Sequence, residues 1–280
     1  MSVENTPPKS YLFVPGNRPE RFNKALASGA DRIIVDLEDA VAPADKTSAQ
    51  KAISEWLPTL SSTDASKIIV RINDANSSWF SADLQWLGTV TLSAVMLPKC
   101  ELAQTIEQVA KAMRQPTNNK CVIALIESAK GVAKLSQICE APRLERLAFG
   151  SIDYALDMGL PQGLNSGMAL DYAACAIAIA SKAADLTKPI AGVTAGLDAG
   201  LVTEAMKHEL SLGFAAKMCI HPVQVLAIHE VLIPSAAQLE WARHVLAAWQ
   251  EHGASGSILV NGEMVDKPVF LRALQIIQAI

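Results

Sequence analysis

The chain has 280 residues, 50% of them hydrophobic, with 24 basic against 28 acidic side chains and a formal net charge of −4. This composition is too apolar for a disordered chain, and the mild acidity without a basic block argues against a nucleic-acid partner. No apolar run reaches the roughly 18–20 residues of a membrane span, and residues 1–9 lack the apolar core of a signal peptide. The five cysteines form no CxxC pair, which predicts reduced thiols and a cytoplasmic location.

Short apolar runs alternate with longer amphipathic stretches along the chain. The runs are rich in Ile, Val and Leu and show no two-residue alternation, which is typical of strands covered on both faces. Eight strands are therefore predicted, at residues 11–14, 32–37, 68–72, 94–97, 121–126, 144–149, 190–193 and 217–220.

Helix signals occupy segments between these strands, with proline near many of the starts and glycine or proline near many of the ends. They predict helices at residues 19–29, 43–58, 101–116, 128–140, 167–186 and 198–212. Strands that alternate with helices predict a parallel sheet. The count of eight, without a Gly-rich dinucleotide turn, favours a (β/α)8 TIM barrel over an open sheet.

The last part of the chain has a different pattern. It predicts a helix, a flexible link, a hairpin and a final helix, at residues 234–252, 253–256, 258–265 and 268–280. Asn261 and Gly262 form the turn signal of the hairpin. We therefore expect a barrel over residues 1–233 and a C-terminal helix–hairpin–helix extension over residues 234–280, which folds as a lid over this molecule or a neighbour.

Charged or polar residues follow six consecutive predicted strands. The carboxyl ends of barrel strands form the rim where such folds build their active sites. A polar residue after one strand is expected, because loops are usually polar. Polar residues after six strands that end at the same rim indicate a functional site. They lie at residues 14–18, 36–39, 71–73, 98–99, 127–128 and 150–153.

Two carboxylates, Glu127 and Asp153, end adjacent strands. Magnesium typically takes one or two protein carboxylates and keeps positions for water and substrate oxygens. These strand ends carry no histidine, which argues against zinc. The alternative is that each carboxylate caps the following helix. That alternative is weaker for Glu127, because Ser128 is itself a good cap.

Three further features point to anionic ligands. Arg71 ends a predicted buried strand, so it needs a substrate carboxylate or an acid of strand two as its partner, and both can hold in different states. Arg18 and Arg21 flank a predicted helix start, which favours a phosphate-bearing ligand or else forms a solvated charged face. Gly150 and Ser151 offer backbone amides to a carboxylate or a developing oxyanion.

Motifs in chain order resemble the citrate lyase β-subunit-like branch of the HpcH/HpaI aldolase superfamily, which includes malyl-CoA and citramalyl-CoA lyases. The matches extend through essentially the whole chain, and together they are highly specific. They are YLFVPGNRPERFNKAL at 11–26, VDLEDAV at 35–41, VRIN at 70–73, MLPK at 96–99, ALIES at 124–128, AFGSID at 148–153, KMCIHP at 217–222 and EMVDKP at 263–268.

The resemblance implies a metal-dependent lyase, with Mg²⁺ or alternatively Mn²⁺, that is usually a homotrimer. Such an enzyme cleaves or forms a 3-hydroxyacyl-CoA, such as malyl-CoA, citramalyl-CoA or citryl-CoA, and the other product is an α-oxo acid. By this resemblance Glu127 and Asp153 bind the metal, and Arg71 binds the oxo-acid carboxylate. Glu38 and Asp39 match acids beside the metal-bound water.

The turn of Gly150, Ser151, Ile152 and Asp153 is expected to hold the carboxylate of the oxo acid. The resemblance assigns further residues to the substrate. Three positions match residues that contact the CoA thioester: Phe13, Arg18 and Lys24. Asp266 matches the acid that the C-terminal lid lends to the neighbouring subunit, where it exchanges a proton with the acyl-CoA enolate. The chain departs from relatives at Ala191, Ala216 and Glu263, where Asp, Gly and Lys are frequent.

Other functions remain open from the sequence. A CoA-independent aldolase of hydroxy oxo acids would use a histidine in the strand-two motif, and none lies near Glu38 and Asp39. A citrate lyase β subunit would act on an acyl carrier protein within a complex. A non-catalytic scaffold would have no need for Arg71, Glu127, Asp153 and Asp266 together. A Schiff-base mechanism on Lys99 is not expected from the resemblance.

Overall fold

The computed structural model describes residues 7–113, 121–161, 167–251, 257–260 and 263–278. The described residues form two compact units, one over residues 7–228 and one over the described residues from 229 to 278. Among the described helices, none combines the length and apolar character that crossing a membrane requires.

The first unit is a closed parallel barrel in which the eight strands pair in sequence order, β1 to β8, and β8 pairs with β1. This confirms the TIM barrel. The strands are β1 Ser10–Pro15, β2 Arg32–Asp36, β3 Ile68–Arg71, β4 Ala94–Leu97, β5 Val122–Ile126, β6 Leu144–Phe149, β7 Ile190–Ala191 and β8 Ala216–Cys219.

Helices cover the outside of the barrel. The α-helices are α1 Phe22–Leu26, α2 Lys46–Trp56, α3 Ser62–Ala65, α4 Phe80–Leu87, α5 Ala103–Ala112, α6 Ala129–Ala133, α7 Leu135–Ile138, α8 Ser151–Asp157, α9 Gly167–Ala183, α10 Ala199–Ser211 and α11 Val223–Leu232. Short 3₁₀ turns are Pro19–Arg21, Pro43–Asp45 and Leu57–Thr59. The expected single helix at 128–140 is two short helices, because the backbone leaves helical geometry at Lys134.

Apolar side chains from all eight strands fill the barrel interior. They form one buried cluster: Tyr11, Ile34, Ile69, Ala94, Met96, Ile123, Leu125, Ala148, Ile190, Ala216 and Met218. The strands therefore read as continuous apolar runs, since their other faces are covered by helices. The register places Asp36 opposite Arg71, and Ile126 opposite Phe149. The residues that follow these strands consequently meet at one rim.

The second unit contains α12 Ala236–Glu251, an antiparallel pair of strands β9 Ile258–Val260 and β10 Glu263–Val265, and α13 Lys267–Gln278. This is the expected helix–hairpin–helix order. Its small core contains Ala242, Val245, Val265 and Ala273.

Part of the expected extension is not described by the structure. The turn at residues 261–262 and the link at 253–256 lie outside the described residues. The boundary between the two compact units falls between residues 228 and 229. The predicted boundary between residues 233 and 234 and the role of the extension as a lid stay predictions.

The barrel core generates a stability prediction. Ile69 is fully buried, so Ile69→Ala should lower the free energy of unfolding by about 2–5 kcal/mol through lost burial and a residual cavity. Ile179 on α9 is 69% exposed, and the same substitution there should change stability by less than about 0.5 kcal/mol. Urea titration followed by circular dichroism measures both. Equal losses at the two positions would contradict the assignment of Ile69 to the core.

Candidate active site

A cavity of about 450 Å³ opens at the carboxyl rim of the barrel. Its polar lining comes from the ends of β2 and β3 and from residues that follow β2, β5 and β6. Its apolar lining includes residues of β1, β5 and β8 and residues that follow β7 and β8. The cavity brings together eight of the expected site residues: Phe13, Asp39, Arg71, Glu127, Gly150, Ser151, Ile152 and Asp153.

Arg71 is buried at the end of β3, and its guanidinium is held from one side by Asp36. Nε lies 2.7 Å from Oδ1 of Asp36 and Nη2 lies 2.7 Å from Oδ2, so the contact is bidentate. Burial alone would raise the pKa of Asp36, but the guanidinium outweighs it and the pKa is lowered. The structure thus shows the ion pair with strand two. Binding of a substrate carboxylate by Arg71 stays a prediction.

The other edge of Arg71 faces the strand-two loop. Oε2 of Glu38 lies 2.9 Å from Nη1, although the approach is not aligned as a hydrogen bond. Asp39 is farther away, at 3.9 Å, and is largely exposed. The ring of Phe13 lies 4.9 Å from the guanidinium carbon, a cation–π distance. Nη1 of Arg71 therefore makes no aligned hydrogen bond with these residues and can donate to a ligand.

Glu127 follows β5 and is almost fully buried. Its Oε1 accepts a hydrogen bond of 2.7 Å from the backbone N–H of Lys99. Oε2 faces Gly150, where a Cβ atom would approach it to 2.5 Å, so only glycine permits this close contact. Burial, followed by the negative charges of Glu38 and Asp153, raises the pKa of Glu127 to about 8. This carboxylate would gain from a bound cation.

Asp153 lies in the first turn of α8, where the N-cap position is occupied by Gly150. The capping alternative for Asp153 is therefore wrong. Capping is not the role of Glu127 either, because the Oγ of Ser128 accepts the N–H of Gly131 at 3.1 Å and caps α6. Both carboxylates remain available to the cavity.

The donor set fits a hard divalent cation. Five carboxylates cluster around two cationic side chains at this rim: Asp36, Glu38, Asp39, Glu127 and Asp153 against Arg71 and Lys99. Within the described residues, no group of three or more Asp, Glu, His or Cys side chains is arranged to hold a metal. The protein would thus supply the pair Glu127 and Asp153, in keeping with the preference of Mg²⁺ for one or two carboxylates.

The residues expected to contact CoA are placed unequally. Phe13 lies in the wall of the main cavity and also in that of a neighbouring depression of about 440 Å³. Lys24 lines this depression together with Arg21 and His221. Arg18 is exposed and lines neither cavity. The predicted helix start beside it is a three-residue 3₁₀ turn without a side-chain cap.

Asp266 belongs to the second compact unit. Its Oδ1 accepts the N–H of Val269 at 3.2 Å, so it caps the start of α13. The side chain is partly exposed. Its expected role in the site of a neighbouring subunit stays a prediction.

A buried polar network behind the strand-two loop was not anticipated from the sequence. Nζ of Lys46 donates to the carbonyls of Leu37 and Glu38 at 2.8 and 3.0 Å, and to Oδ1 of Asn73 at 2.6 Å. Asn73 in turn donates its amide and backbone N–H to Asp83. The network fixes the backbone that carries Glu38. The sequence gives no recognisable signal for this network, because Lys46 on α2 and Asn73 after β3 are far apart in the chain.

A parallel eight-stranded barrel with an arginine and a carboxylate pair in a rim cavity defines a TIM-barrel enzyme site. The family model of HpcH/HpaI aldolase/citrate lyase matches residues 9–222. The chain therefore belongs to the HpcH/HpaI aldolase/citrate lyase family, and the expectation of a lyase-family enzyme is confirmed.

Individual relatives agree with this assignment. A citrate lyase subunit beta-like protein of Deinococcus radiodurans is 31% identical over 96% of this chain and 97% of its own length. A (3S)-malyl-CoA thioesterase of Cereibacter sphaeroides is 29% identical over 98% of this chain and 95% of its own. The crystal structure of CitE from Mycobacterium tuberculosis with magnesium, acetoacetate and coenzyme A has a TM-score of 0.84, at 31% identity over 97% of both chains.

The buried network predicts a local stability effect. Lys46→Met removes the donor to three oxygens and should lower the free energy of unfolding by about 1–3 kcal/mol, since buried acceptors are left unpaired. Lys51→Met on the same helix is a matched control, because the Lys51 side chain is 76% exposed. Urea unfolding compares the two variants. A Lys46→Met protein as stable as Lys51→Met would refute the network.

The raised pKa of Glu127 predicts a pH dependence of the metal-free protein. The folded state keeps the proton of Glu127 up to about pH 8, whereas the unfolded chain releases it near 4.5. The stability that this proton contributes is full below the lower value and disappears as the pH rises through the higher one. In EDTA, Glu127→Gln should therefore be more stable relative to wild type at about pH 9 than at about pH 6.

Urea titrations at both pH values measure this difference. Glu55→Gln is the control, because the Glu55 side chain is 68% exposed, and it should show the same small offset at both pH values. An offset for Glu127→Gln that does not change with pH would contradict the environment described for Glu127.

Proposed function

We propose that the chain is a Mg²⁺-dependent lyase that acts on a 3-hydroxyacyl-CoA, such as malyl-CoA, citramalyl-CoA or citryl-CoA. Cleavage releases an acyl-CoA and an α-oxo acid, and the reverse reaction joins them. The observation that carries the proposal is the convergence of Arg71, Glu127 and Asp153 on one cavity. The ligands of the related CitE structure, magnesium, acetoacetate and coenzyme A, support the same chemistry.

Glu127 and Asp153 would hold the Mg²⁺ ion, and the ion would supply Lewis acidity toward the acid. Arg71 binds the carboxylate of this acid through the edge that Asp36 leaves open. The backbone N–H of Gly150 is not available for this role, because it donates to the carbonyl of Ile126 at 2.9 Å. Of the two predicted amides, that of Ser151, the first residue of α8, can donate to the acid. The apolar side chains that line the cavity limit the access of water to the reacting carbons.

In the cleavage direction Asp39, which lines the cavity, accepts the hydroxyl proton of the substrate. The carbon–carbon bond breaks, the hydroxyl carbon becomes the oxo acid, and the electron pair enters the acyl-CoA enolate. Asp266 of a neighbouring subunit then protonates the enolate carbon. In the condensation direction Asp266 removes that proton. No covalent enzyme intermediate is required.

The CoA portion is assigned to the depression beside the cavity. Arg21 and Lys24 give it positive charge for phosphate groups, and Phe13 belongs to both walls. Arg18 lines neither cavity and is exposed, so it would contact only a part of CoA that extends over the protein surface. The homotrimer and the cytoplasmic location stay predictions, and Mn²⁺ stays an alternative ion.

The alternatives are weighed on the same residues. Of the described residues that line the main cavity, none is a histidine, which disfavours the CoA-independent aldolase. Nζ of Lys99 lies 3.0 Å from Glu38 and outside the cavity wall, which disfavours a Schiff base. Hydrolysis of the thioester is a second candidate, because one relative is a (3S)-malyl-CoA thioesterase.

The decisive experiment supplies malyl-CoA, citramalyl-CoA and citryl-CoA with Mg²⁺ and identifies the products by mass spectrometry. We expect release of glyoxylate, pyruvate or oxaloacetate with the matching acyl-CoA. EDTA or Glu127→Gln should reduce the rate by about 10³-fold or more, since a metal Lewis acid supplies several kcal/mol. Glu55→Gln is the control and should leave the rate unchanged.

Other products distinguish the alternatives. Free hydroxy acid and CoA without an oxo acid would identify a thioesterase. Inactivity on all three thioesters would favour the free-acid aldolase or the carrier-protein subunit, and copurifying small subunits would point to the latter. Cleavage that persists in EDTA would overturn the metal site.

A further inference from the structure

Lys99 has an unusual backbone conformation. Its φ angle is +44°, and Asp185 is the other non-glycine residue of the described chain with a positive φ. A side chain with a Cβ atom disfavours this left-handed region, and residues held there cluster at functional sites. Lys99 follows β4 after Pro98, directly at the active rim. Its conformation therefore needs a compensating contact.

The contact is made by both ends of the residue. The backbone N–H of Lys99 donates to Oε1 of Glu127 at 2.7 Å, and Nζ donates to Oε1 of Glu38 at 3.0 Å. The two carboxylates come from different sides of the rim, after β5 and after β2. A single residue thus bridges a carboxylate of the cavity and the acid that approaches Arg71.

The two contacts act on different groups. The N–H holds Oε1 of Glu127, and Oε2 is left beside Gly150. The ammonium holds one oxygen of Glu38, while the other lies 2.9 Å from Nη1 of Arg71 without hydrogen-bond alignment. Without the ammonium, Glu38 would be free to turn fully onto Nη1. It would then compete with a substrate carboxylate for that edge of Arg71.

We propose that Lys99 is a positioning residue with two separable roles: its left-handed backbone orients Glu127 for the metal, and its ammonium holds one oxygen of Glu38 and so limits the contact of Glu38 with Arg71. The side chain does not line the cavity, so it acts through these two acids and not on the substrate. The proposal rests on the proposed function, because it takes Glu127 as a metal ligand.

A series of variants separates the two roles. Lys99→Met and Lys99→Ile both remove the ammonium, but the β-branched side chain of Ile opposes the left-handed backbone much more strongly. Lys99→Gly also lacks the ammonium and adopts a positive φ freely. Lys99→Arg restores a cation. The backbone role therefore predicts a difference between Ile and Met, and the ammonium role predicts a difference between Met and Arg.

Calorimetric titration with Mg²⁺ alone tests the backbone role without any turnover. Lys99→Met and Lys99→Gly should bind Mg²⁺ within about 3-fold of wild type, and Lys99→Ile about 10–100-fold more weakly, as is typical when the partner of a metal ligand is lost. Circular dichroism and urea unfolding verify that the variants are folded. A folded Lys99→Ile protein that binds Mg²⁺ as tightly as Lys99→Met would overturn the backbone role.

Kinetics test the ammonium role. Lys99→Met should raise KM by about 10-fold with a smaller change in kcat, because Arg71 would bind the substrate carboxylate more weakly in both the ground state and the transition state. Lys99→Arg should restore most of the wild-type KM. An equal fall of kcat in Met and Arg, or an unchanged KM in Met, would overturn this role. If wild type binds no Mg²⁺ at all, the proposed function fails and the inference falls with it. If wild type binds Mg²⁺ and the variants do not differ, the inference alone fails.

Discussion

The buried bidentate pair of Asp36 and Arg71 is the contact around which the rim is organised. The two residues are register partners on β2 and β3, so the sheet itself places the carboxylate beside the guanidinium. An arginine at this depth without a partner would be strongly unfavourable. Asp36 satisfies one edge of the fork and fixes its plane. The remaining edge, at Nη1, consequently lies in a fixed position beside Glu38 and Asp39 at the cavity, which a mobile surface arginine could not achieve.

The same rim carries more negative than positive charge, and this shapes the remaining contacts. Glu127 is buried next to two other acids, and its pKa rises to about 8 as a result. The ammonium of Lys99 contacts Glu38, whereas its backbone N–H donates to Glu127. The charge of Arg71 lowers the pKa of Glu127 but does not outweigh the burial and the two acids. A buried carboxylate with such a raised pKa is a candidate functional group. The fold thus tolerates locally unfavourable electrostatics that a bound divalent ion would reverse.

Much of the fold could be predicted from the sequence because the strands are buried on both faces. Runs such as 122–126 are apolar at every position, and seven of the eight predicted strands therefore lie within one residue of the observed ends at both termini. The exception in length is β7, which ends at Ala191 because Gly192 leaves the ladder and packs against Ser151. Helices α3, α4, α8 and α11 were not predicted, because each has at most ten residues and gives too short an apolar period to recognise, although Ser61 caps α3 and Gly88 ends α4.

The candidate site was predictable to the extent that it follows strand ends. Arg71, Glu127 and Asp153 were recognisable because each polar residue interrupts or follows an apolar run. The pairing with Asp36 in particular depends on the register of two strands, and the network of Lys46 depends on the packing of α2 against the strand-two loop. The left-handed backbone of Lys99 depends on a carboxylate from another strand. None of these relations is local in sequence, so single-sequence patterns could not specify them.

Apolar side chains line the same cavity as these charges, and they bear on how the site would treat a thioester. Carbon–carbon cleavage leaves an acyl-CoA enolate, which must be protonated by one positioned acid, while hydrolysis needs water at the thioester carbon. Side chains such as Leu125, Val193 and Met218 offer water no hydrogen-bond partner on their side of the cavity. Hydrogen bonds to water inside the cavity therefore depend on Arg71 and the acidic side chains that line it. In the proposed reaction these groups hold the acid, so hydrolysis would need a separate path for water to the thioester carbon.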